Sequence, residues 1–283
     1  MLGSYAATQA AEKGWETWAT YSGHPVELPG VRMIPLDIRD AAEVAKAVHD
    51  IKPDAIIHTA ALVKPDECEQ HKDTAFAINT LGTVHVISAA EQAGARLVHV
   101  STDLVFNGER NPYKTDDIPG PVNYYARTKV AAETAIYASH LDWAIARTSI
   151  IYGPRVFPHL NSFSDKVIET LRAGKTINAY TDQRRCPIPA WNLADVLLEI
   201  AERGLTGVFH AVCPESSTRY EFAVNVAEVF GLDRALIVPK TMDEIPTLAR
   251  RPRSLILDTL STQQALNTRL FGFEEGILGL LNR

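Results

Sequence analysis

Tyr125 and Lys129 are the two residues whose types and spacing best suit catalysis. They stand four positions apart in a segment with a helical pattern, so one helix face carries both and the ammonium lies close to the phenol. A nearby cation favours the phenolate and lowers the phenol pKa from about 10 towards neutral pH. Such a group is suited to give a proton to the alkoxide that forms when a ketone accepts a hydride.

Hydroxyl groups that suit the same reaction come earlier in the chain, at Ser101 and Thr102. They end an apolar run that predicts a buried strand, and ligands of doubly wound sheets bind outside the carboxyl ends of such strands. A hydroxyl from either residue would hydrogen-bond the carbonyl oxygen and stabilise the charge that develops on it. A Tyr-x-x-x-Lys pair alone occurs by chance in many chains, so the prediction of ketone reduction depends on this context.

The elements that must position these residues alternate between short apolar runs and helical patterns. This alternation is typical of βαβ units and predicts an α/β fold with a doubly wound, Rossmann-like parallel sheet. Strands are predicted at 16–21, 32–36, 55–59, 97–101 and 143–148, and helices at 2–13, 41–51, 72–93 and 124–139. The pattern becomes less regular after Gly153, which predicts a smaller second lobe from residue 151 onwards.

Charge and composition exclude several classes of partner. The net charge is −6 and no Lys/Arg cluster would grip nucleic-acid phosphates, so nucleic acid is excluded. Cys68, Cys186 and Cys213 lie far apart without metal-binding spacing, so neither a metal site nor a disulfide is predicted. No apolar run reaches the roughly 18 residues of a membrane span, and no signal-peptide pattern is present at the start. We therefore expect a soluble, cytoplasmic protein with no membrane partner.

Two motifs together resemble the paired signature of the dTDP-4-dehydrorhamnose reductase family, in the extended branch of the short-chain dehydrogenase/reductase superfamily. They are Ser101-Thr102-Asp103-Leu104-Val105-Phe106-Asn107-Gly108 and Tyr125-Ala126-Arg127-Thr128-Lys129. Shorter matches in the same order extend the resemblance over nearly the whole chain. It implies a dinucleotide-binding domain at 1–150 and a mainly substrate-binding lobe at 151–283, with some segments returning to the sheet. The implied activity is NAD(P)H-dependent reduction of the 4-keto group of a nucleotide-linked deoxysugar, and a homodimer is compatible with it.

Mapped residue by residue, the resemblance implies Tyr125 as general acid, Lys129 as its pKa-lowering partner and ribose contact, and Thr102 as the hydroxyl that orients the carbonyl. The implied cofactor contacts are Gly3, Asp37, Ile38, Ala60, Ala61, Asn79, Tyr125 and Lys129. Among these, Asp37 and Ile38 would lie along the adenine ring, and Asn79 would support Lys129.

Substrate contacts are implied for Asp103 and Arg185, and each has a plainer explanation. Asp103 fits equally well as a cap or turn residue after a strand. Arg184 and Arg185 either clamp a pyrophosphate by bidentate hydrogen bonds or form a solvated charged loop. His58 stands where the family has Asn, and we interpret it as a buried, hydrogen-bonded replacement without a catalytic role.

The largest departure from the family is at the start of the chain. Family members begin with a strand that enters a Thr-Gly-x-x-Gly-x-x-Gly loop, whose glycines let the backbone approach the cofactor pyrophosphate. Met1-Leu2-Gly3-Ser4 resembles only the last part of that loop. The start site is misassigned, or the chain is truncated, or dinucleotide binding has been lost. We favour a misassigned start, because removal of a central strand would expose two inner strand edges.

The cofactor choice and two alternative functions stay open at this point. No Asp or Glu follows the strand at 16–21 to hold the 2′-hydroxyl of NAD, which slightly favours NADP, although no Arg adjoins that strand either. The alternatives are a catalytically silent regulatory subunit, like the relative that partners methionine adenosyltransferase, and a sugar-nucleotide epimerase. A dehydratase is disfavoured because Leu104 stands where those enzymes have a catalytic Glu. The intact Thr102, Tyr125 and Lys129 favour the reductase, whereas the incomplete glycine loop favours the silent subunit.

Overall fold

The structure, a computed structural model, describes residues 1–157 and 161–282. Strands and helices alternate through the first half of the chain. The strands there are β1 (Thr17–Tyr21), β2 (Val31–Pro35), β3 (Ala55–His58), β4 (Arg96–Thr102) and β5 (Trp143–Thr148). The helices are α1 (Leu2–Glu12), α2 (Ala41–Ile51), α3 (Pro65–Gln70), α4 (Lys72–Phe76), α5 (Gly82–Ala93) and α6 (Tyr124–Tyr137).

The second half of the chain contains shorter strands between helices. The strands are β6 (Ile151–Tyr152), β7 (Ile177–Tyr180), β8 (Arg184–Arg185), β9 (Ile188–Pro189), β10 (Gly207–His210), β11 (Ser217–Thr218) and β12 (Ile237–Lys240). The helices are α7 (Phe163–Arg172), α8 (Ala190–Glu202), α9 (Arg219–Val229), α10 (Leu260–Ala265) and α11 (Phe273–Leu278). Single 3₁₀ turns lie at Asp103–Val105, Arg234–Leu236 and Gly279–Asn282.

The main sheet is parallel, with the strand order β10-β5-β4-β3. β1 and β2 form a separate parallel pair in the described part of the chain. Alternate residues of a strand face opposite sides of a sheet. Val98 of β4 accordingly packs with α1 and α8, whereas the neighbouring Leu97 packs with α2, α5 and α6. Helices on both faces confirm the predicted doubly wound α/β class.

The predicted helix over 72–93 is the main difference between expectation and structure. α4 and α5 are joined by a π-helical turn at Ala77–Leu81. The Thr83 hydroxyl donates to the Asn79 carbonyl oxygen at 2.8 Å, and the Thr80 hydroxyl donates to the Thr128 carbonyl oxygen on α6 at 3.0 Å. Side chains that bond backbone carbonyls in this way disturb regular helix geometry, and π turns are frequent near functional sites.

A second hydrophobic core lies in the C-terminal half of the chain. Val167 and Leu171 of α7 pack there with Phe222 and Val226 of α9 and with Ile177 of β7. β7 pairs with β12, whereas β10 from the same half pairs with β5 of the main sheet. The division of the chain near residue 150 stays a prediction. Over residues 1–157 and 161–282, no helix has the length and apolar character that crossing a membrane requires.

Candidate active site

A large cleft lies at the carboxyl ends of the parallel strands. Its volume is about 1080 Å³, larger than most sites for one small ligand, so it has room for more than one. Nearly all of the residues predicted for the site line it. They are Gly3, Asp37, Ile38, Ala60, Ala61, Thr102, Asp103, Tyr125, Lys129 and Arg185.

The catalytic candidates meet because β4 ends and α6 begins at the same place. The Asn123 side chain caps α6 by accepting from the Ala126 N–H at 2.9 Å, and Glu69 accepts from the Tyr124 N–H at 2.8 Å. These contacts fix the first turn of α6, which carries Tyr125, and Lys129 follows one turn later. We refer to Thr102, Tyr125 and Lys129 as the proton-transfer wall of the cleft.

The phenol of Tyr125 is held in its protonated form. Burial raises the pKa of Tyr125 and the Asp103 carboxylate raises it further, while a hydrogen bond with Thr102 lowers it by less. A protonated phenol with a hydroxyl beside it is able to donate a proton to an oxygen bound between the two groups.

The ammonium of Lys129 is held by β4. Its Nζ donates to the Val100 carbonyl oxygen at 2.9 Å and lies 2.8 Å from Nε2 of His99. Burial lowers the pKa of Lys129 to about 8, and the nearby Glu133 carboxylate partly offsets this. The strand therefore holds the ammonium through His99 and the Val100 carbonyl oxygen, and the action of Lys129 on the phenol stays a prediction. His99 was missed because it lies within an apolar run that indicates only a buried strand.

Asn79 has its contacts within the protein, and its predicted part in cofactor binding stays a prediction. It is fully buried, does not line the cleft, and bonds the backbone of Leu62 through both N–H and carbonyl groups. Its Nδ2 also donates to the Thr128 hydroxyl at 3.0 Å. The π-helical turn points the Asn79 amide at these groups, so Asn79 braces the loop after β3 against α6 and makes no hydrogen bond to Lys129.

The N-terminal end of α1 reaches the cleft beside the bend that follows β3. Gly3 lies so close to this bend that a Cβ would sit 2.8 Å from the Thr59 hydroxyl oxygen. Ala60 and Ala61, in the same bend, leave room between the two segments. Free backbone N–H groups at a helix start, next to small residues, suit the pyrophosphate of a dinucleotide.

Asp37 and Ile38 follow β2 at the far end of the same cleft. Arg39 donates through Nε to both Asp37 oxygens, and this hydrogen bonding lowers the pKa of Asp37. The Ile38 side chain packs tightly on Gly82, where a Cβ would lie 2.7 Å from Ile38 Cδ1. Ile38 is therefore held in place as an apolar side chain that lines the cleft, which suits contact with an aromatic base.

Polar groups without partners also face the cleft near the catalytic residues. The hydroxyls of Ser101 and Thr148 are buried with no hydrogen-bond partner among the described residues, and both residues line the cleft. Buried hydroxyls in proteins are usually hydrogen-bonded, so these two groups fit a polar ligand. The residues present thus fit a dinucleotide that lies from β2 to Tyr125.

Asp103 lies between the catalytic residues and a group of arginines. Its Oδ2 accepts from the Ser149 hydroxyl at 2.6 Å and lies 3.7 Å from Nε of Arg185. Burial raises the pKa of Asp103, while Arg185, Ser149 and Thr102 oppose that rise. Arg185 in turn donates to the carbonyl oxygens of Arg184 and Pro252, both at 2.7 Å.

Two further arginines, Arg219 and Arg251, line the cleft and were not predicted as site residues. Arg219 begins α9 and donates to Gln183, and Arg251 lies 3.2 Å from Asp66. In each guanidinium, Nη1 is buried without a hydrogen-bond partner in the described ranges. We refer to Arg185, Arg219 and Arg251 as the arginine wall. Arg185 was predicted as a substrate contact, whereas Arg219 and Arg251 were not, because the three come from distant segments.

Two other sequence interpretations concern His58 and Arg184. His58 is buried with Nε2 3.1 Å from the Thr83 hydroxyl, and burial lowers its pKa to about 3, which agrees with a structural role. Arg184 donates to the Ser216 carbonyl oxygen and to Glu221, and it is not among the residues that line the cleft. Within the described ranges, no group of three or more His, Cys, Asp or Glu side chains is placed to hold a metal ion.

Comparison with known proteins gives one family for the whole chain. The RmlD substrate binding domain family matches residues 1–283. A probable low-salt glycan biosynthesis reductase, Agl14, of Haloferax volcanii is 30% identical over 99% of this chain and 94% of its own. A dTDP-4-dehydrorhamnose reductase of Mycolicibacterium smegmatis is 31% identical over 98% of this chain and 81% of its own. Methionine adenosyltransferase 2 subunit beta of Bos taurus is 31% identical over 79% of this chain and 68% of its own.

Solved structures agree with this assignment. A dTDP-4-dehydrorhamnose reductase from Clostridium acetobutylicum superposes with a TM-score of 0.86 and 28% identity, over 99% of this chain and 95% of its own. One from Bacillus anthracis, in complex with NADP, gives a TM-score of 0.84 and 26% identity, over 95% of this chain and 99% of its own. The family predicted from the paired motifs is therefore confirmed. The chain belongs to the RmlD substrate binding domain family, together with dTDP-4-dehydrorhamnose reductases.

Proposed function

We propose that this protein is an NAD(P)H-dependent reductase of the 4-keto group of a nucleotide-linked deoxysugar. The observation that carries the proposal is the pairing of two walls across one cleft. The proton-transfer wall supplies a protonated phenol and a hydroxyl, and the arginine wall supplies positive charge for an anionic substrate. The related reductases from Mycolicibacterium smegmatis and Clostridium acetobutylicum support the same activity.

The proton-transfer wall carries out the acid half of the reaction. When bound, NAD(P)H supplies a hydride to the carbonyl carbon. Tyr125 donates its phenolic proton to the carbonyl oxygen as negative charge develops there, and the Thr102 hydroxyl hydrogen-bonds the same oxygen. Lys129, held by its contacts with His99 and the Val100 carbonyl oxygen on β4, supplies a positive charge to the same cleft. One hydride and one proton convert the ketone to an alcohol.

The arginine wall supports a substrate that carries a diphosphate. A guanidinium offers paired N–H donors that match phosphate oxygens, and these bonds are stronger than neutral ones. Arg219 and Arg251 each keep a buried N–H group without a partner among the described residues. An anion between them would satisfy both groups, which a neutral free sugar does not do.

For the cofactor we propose NADP in preference to NAD. Tyr21 and Ser22, at the end of β1, line the cleft, and neither is an acid that would hold a ribose 2′-hydroxyl or repel a 2′-phosphate. The Bacillus anthracis relative was solved in complex with NADP. Comparison of kcat/KM for NADPH and NADH tests this preference. We also retain the proposals of a cofactor-binding domain at 1–150, a substrate lobe at 151–283, a homodimer and a cytoplasmic location.

A silent binding subunit is the second candidate, favoured by the resemblance to methionine adenosyltransferase 2 subunit beta. The complete set of Thr102, Tyr125 and Lys129 in one cleft favours the reductase instead. An epimerase is less well supported, since the Haloferax volcanii and Mycolicibacterium smegmatis relatives that match nearly the whole of this chain are reductases.

The deciding experiment follows the absorbance of reduced nicotinamide while the protein is mixed with dTDP-4-keto-6-deoxysugars and, separately, with the same sugars lacking the nucleotide. The reductase predicts oxidation of NADPH with the nucleotide-linked sugar and little with the free sugar. If the protein binds NADPH but does not oxidise it with any of the 4-keto sugar nucleotides, the binding-subunit function is favoured instead.

A further inference from the structure

Two buried histidines lie directly behind Lys129. His99 on β4 and His58 on β3 are register partners across the parallel strands, with ring centroids 5.2 Å apart. His99 is fully buried and His58 nearly so. Neither belongs to the set of residues that line the cleft, whereas Lys129, which His99 contacts, does.

The contacts define which ring nitrogen carries the proton in each histidine. Lys129 Nζ lies 2.8 Å from Nε2 of His99, and an ammonium can only donate, so Nε2 accepts and the proton is on Nδ1. That Nδ1 is buried without a hydrogen-bond partner in the described part of the chain, so Lys129 alone orients the ring by hydrogen bonding. The Thr83 hydroxyl donates to Asn79, so the Nε2–H of His58 donates to Thr83.

The surroundings of Lys129, His99 and His58 favour a single positive charge, which Lys129 carries. Burial and the charge of Lys129 hold the pKa of His99 well below its usual value, and the same causes act on His58. Tyr125 lies one turn before Lys129 on α6 and Glu133 one turn after it, and Cys68 lies beside Tyr125 from α3. Glu133 is itself paired with Arg147 at 2.8 Å, which limits its effect on Lys129.

We propose that His99 is a positioning residue for the reductase. Its ring accepts one N–H of the Lys129 ammonium, which keeps the ammonium charged and leaves the third N–H of Lys129 directed at the cleft. The proposal rests on the proposed function for its kinetic part only. The ammonium has three N–H groups, and β4 takes two of them through His99 and the Val100 carbonyl oxygen. A side chain without an acceptor at position 99 leaves a buried ammonium with one partner fewer, and its proton is lost more easily.

The first test needs no substrate. Long-range proton–nitrogen NMR spectra of the protein labelled with ¹⁵N-histidine report the tautomer of each ring. We expect His99 to stay neutral with its proton on Nδ1 at acidic and neutral pH. Its Nε2 shift should then change near pH 8, where Lys129 loses its proton. Lys129→Met should remove that change. The proposal would be overturned if His99 titrated like an ordinary imidazole, or if the pH dependence of its Nε2 shift were the same in Lys129→Met as in the wild type.

The second test separates positioning from packing by the pH profile of kcat. His99→Leu should move the alkaline limit of activity about one pH unit lower, because a hydrogen bond to a charged group is lost. His99→Gln, which keeps an acceptor, should restore most of that shift, and His58→Gln should leave the limit in place. Equal profiles for His99→Leu and His99→Gln would contradict the proposal. If the wild-type protein shows no turnover, the NMR result still decides on the His99–Lys129 pair, and only the proposed function fails.

Discussion

The two walls of the cleft differ in how their polar groups are satisfied. On the proton-transfer wall, Lys129 bonds His99 and Val100, so two of its three N–H groups are used inside the protein. On the arginine wall, Arg219 and Arg251 each retain a buried N–H group without a partner among the described residues. The first wall positions the phenolic proton of Tyr125 for transfer, whereas the second holds positive charge that an anionic ligand would neutralise.

The walls also differ in the segments that build them. Thr102, Tyr125 and Lys129 come from one strand end and the first two turns of the next long helix. Arg185 lies on β8, Arg219 at the start of α9, and Arg251 in the connection between β12 and α10. Proton transfer thus depends on the local geometry of one βα unit, while substrate binding depends on the C-terminal half, so kcat and KM should respond to different substitutions.

The largest effect is expected from Tyr125→Phe, which removes the proton donor and little else. We predict that kcat falls by about 10²–10⁴, the usual contribution of a positioned general acid. The Kd of NADPH, measured by fluorescence titration, should change less than about threefold, since the ring and its packing remain. Tyr124→Phe, one residue earlier and outside the cleft lining, is the matched control. If Tyr125→Phe kept the kcat of the wild type, the proton-transfer role assigned to this wall would be wrong.

Arg219→Gln should act on the other kinetic constant. Loss of one charge-assisted hydrogen bond to a bound phosphate predicts a KM for the sugar nucleotide about 10- to 100-fold higher, with kcat within about threefold of wild type. The control is Arg184→Gln, since Arg184 is bonded to Glu221 and Ser216 instead of lining the cleft. Steady-state kinetics with varied substrate measure both constants. A fall in kcat at unchanged KM would show that proton transfer and substrate binding are not separated between the two walls.

Glu199→Gln tests a site that should affect neither wall. The Glu199 carboxylate accepts from the Asn267 N–H at 2.7 Å and the Thr268 N–H at 2.6 Å, which ties the C-terminal segment to α8. Burial alone would raise the pKa of Glu199, but hydrogen bonds from Thr268, Asn267 and Arg203 outweigh it and lower the pKa to about 2. We predict a loss of about 1–2 kcal/mol in the free energy of unfolding at neutral pH, with kcat and KM unchanged.

The pH dependence of this loss follows from the direction of the pKa shift. A carboxyl whose folded pKa is lowered stabilises the fold above its unfolded pKa, and this contribution is lost as pH falls through the folded value. The difference between wild type and Glu199→Gln should therefore shrink from about pH 4.5 downwards and be small near pH 2. Urea unfolding at several pH values measures it, and a constant difference over that range would contradict the assignment.

A wall could be predicted from the sequence where its residues lie close together along the chain, and could not where distant segments meet. Tyr125 and Lys129 share a helix face by their spacing alone, and Thr102 ends the preceding strand, so the proton-transfer wall was predictable. The partner of Lys129 was not, because His99 lies in a run whose period indicates only burial. Arg219 and Arg251 approach each other through tertiary packing of distant segments. The π-helical turn that redirects Asn79 depends on hydrogen bonds of Thr80 and Thr83 that helix propensity does not contain.

Transfer of a labelled hydride tests the central claim most directly. The protein is incubated with a dTDP-4-keto-6-deoxysugar and NADPH that carries deuterium at the transferable position, and the sugar product is examined by NMR. The two-wall account predicts one deuterium at C4 of the product, with about 10²–10⁴ times less label when Tyr125→Phe replaces the wild-type protein over the same time. Cofactor that binds but leaves the sugar unlabelled after prolonged incubation with the wild type would contradict it.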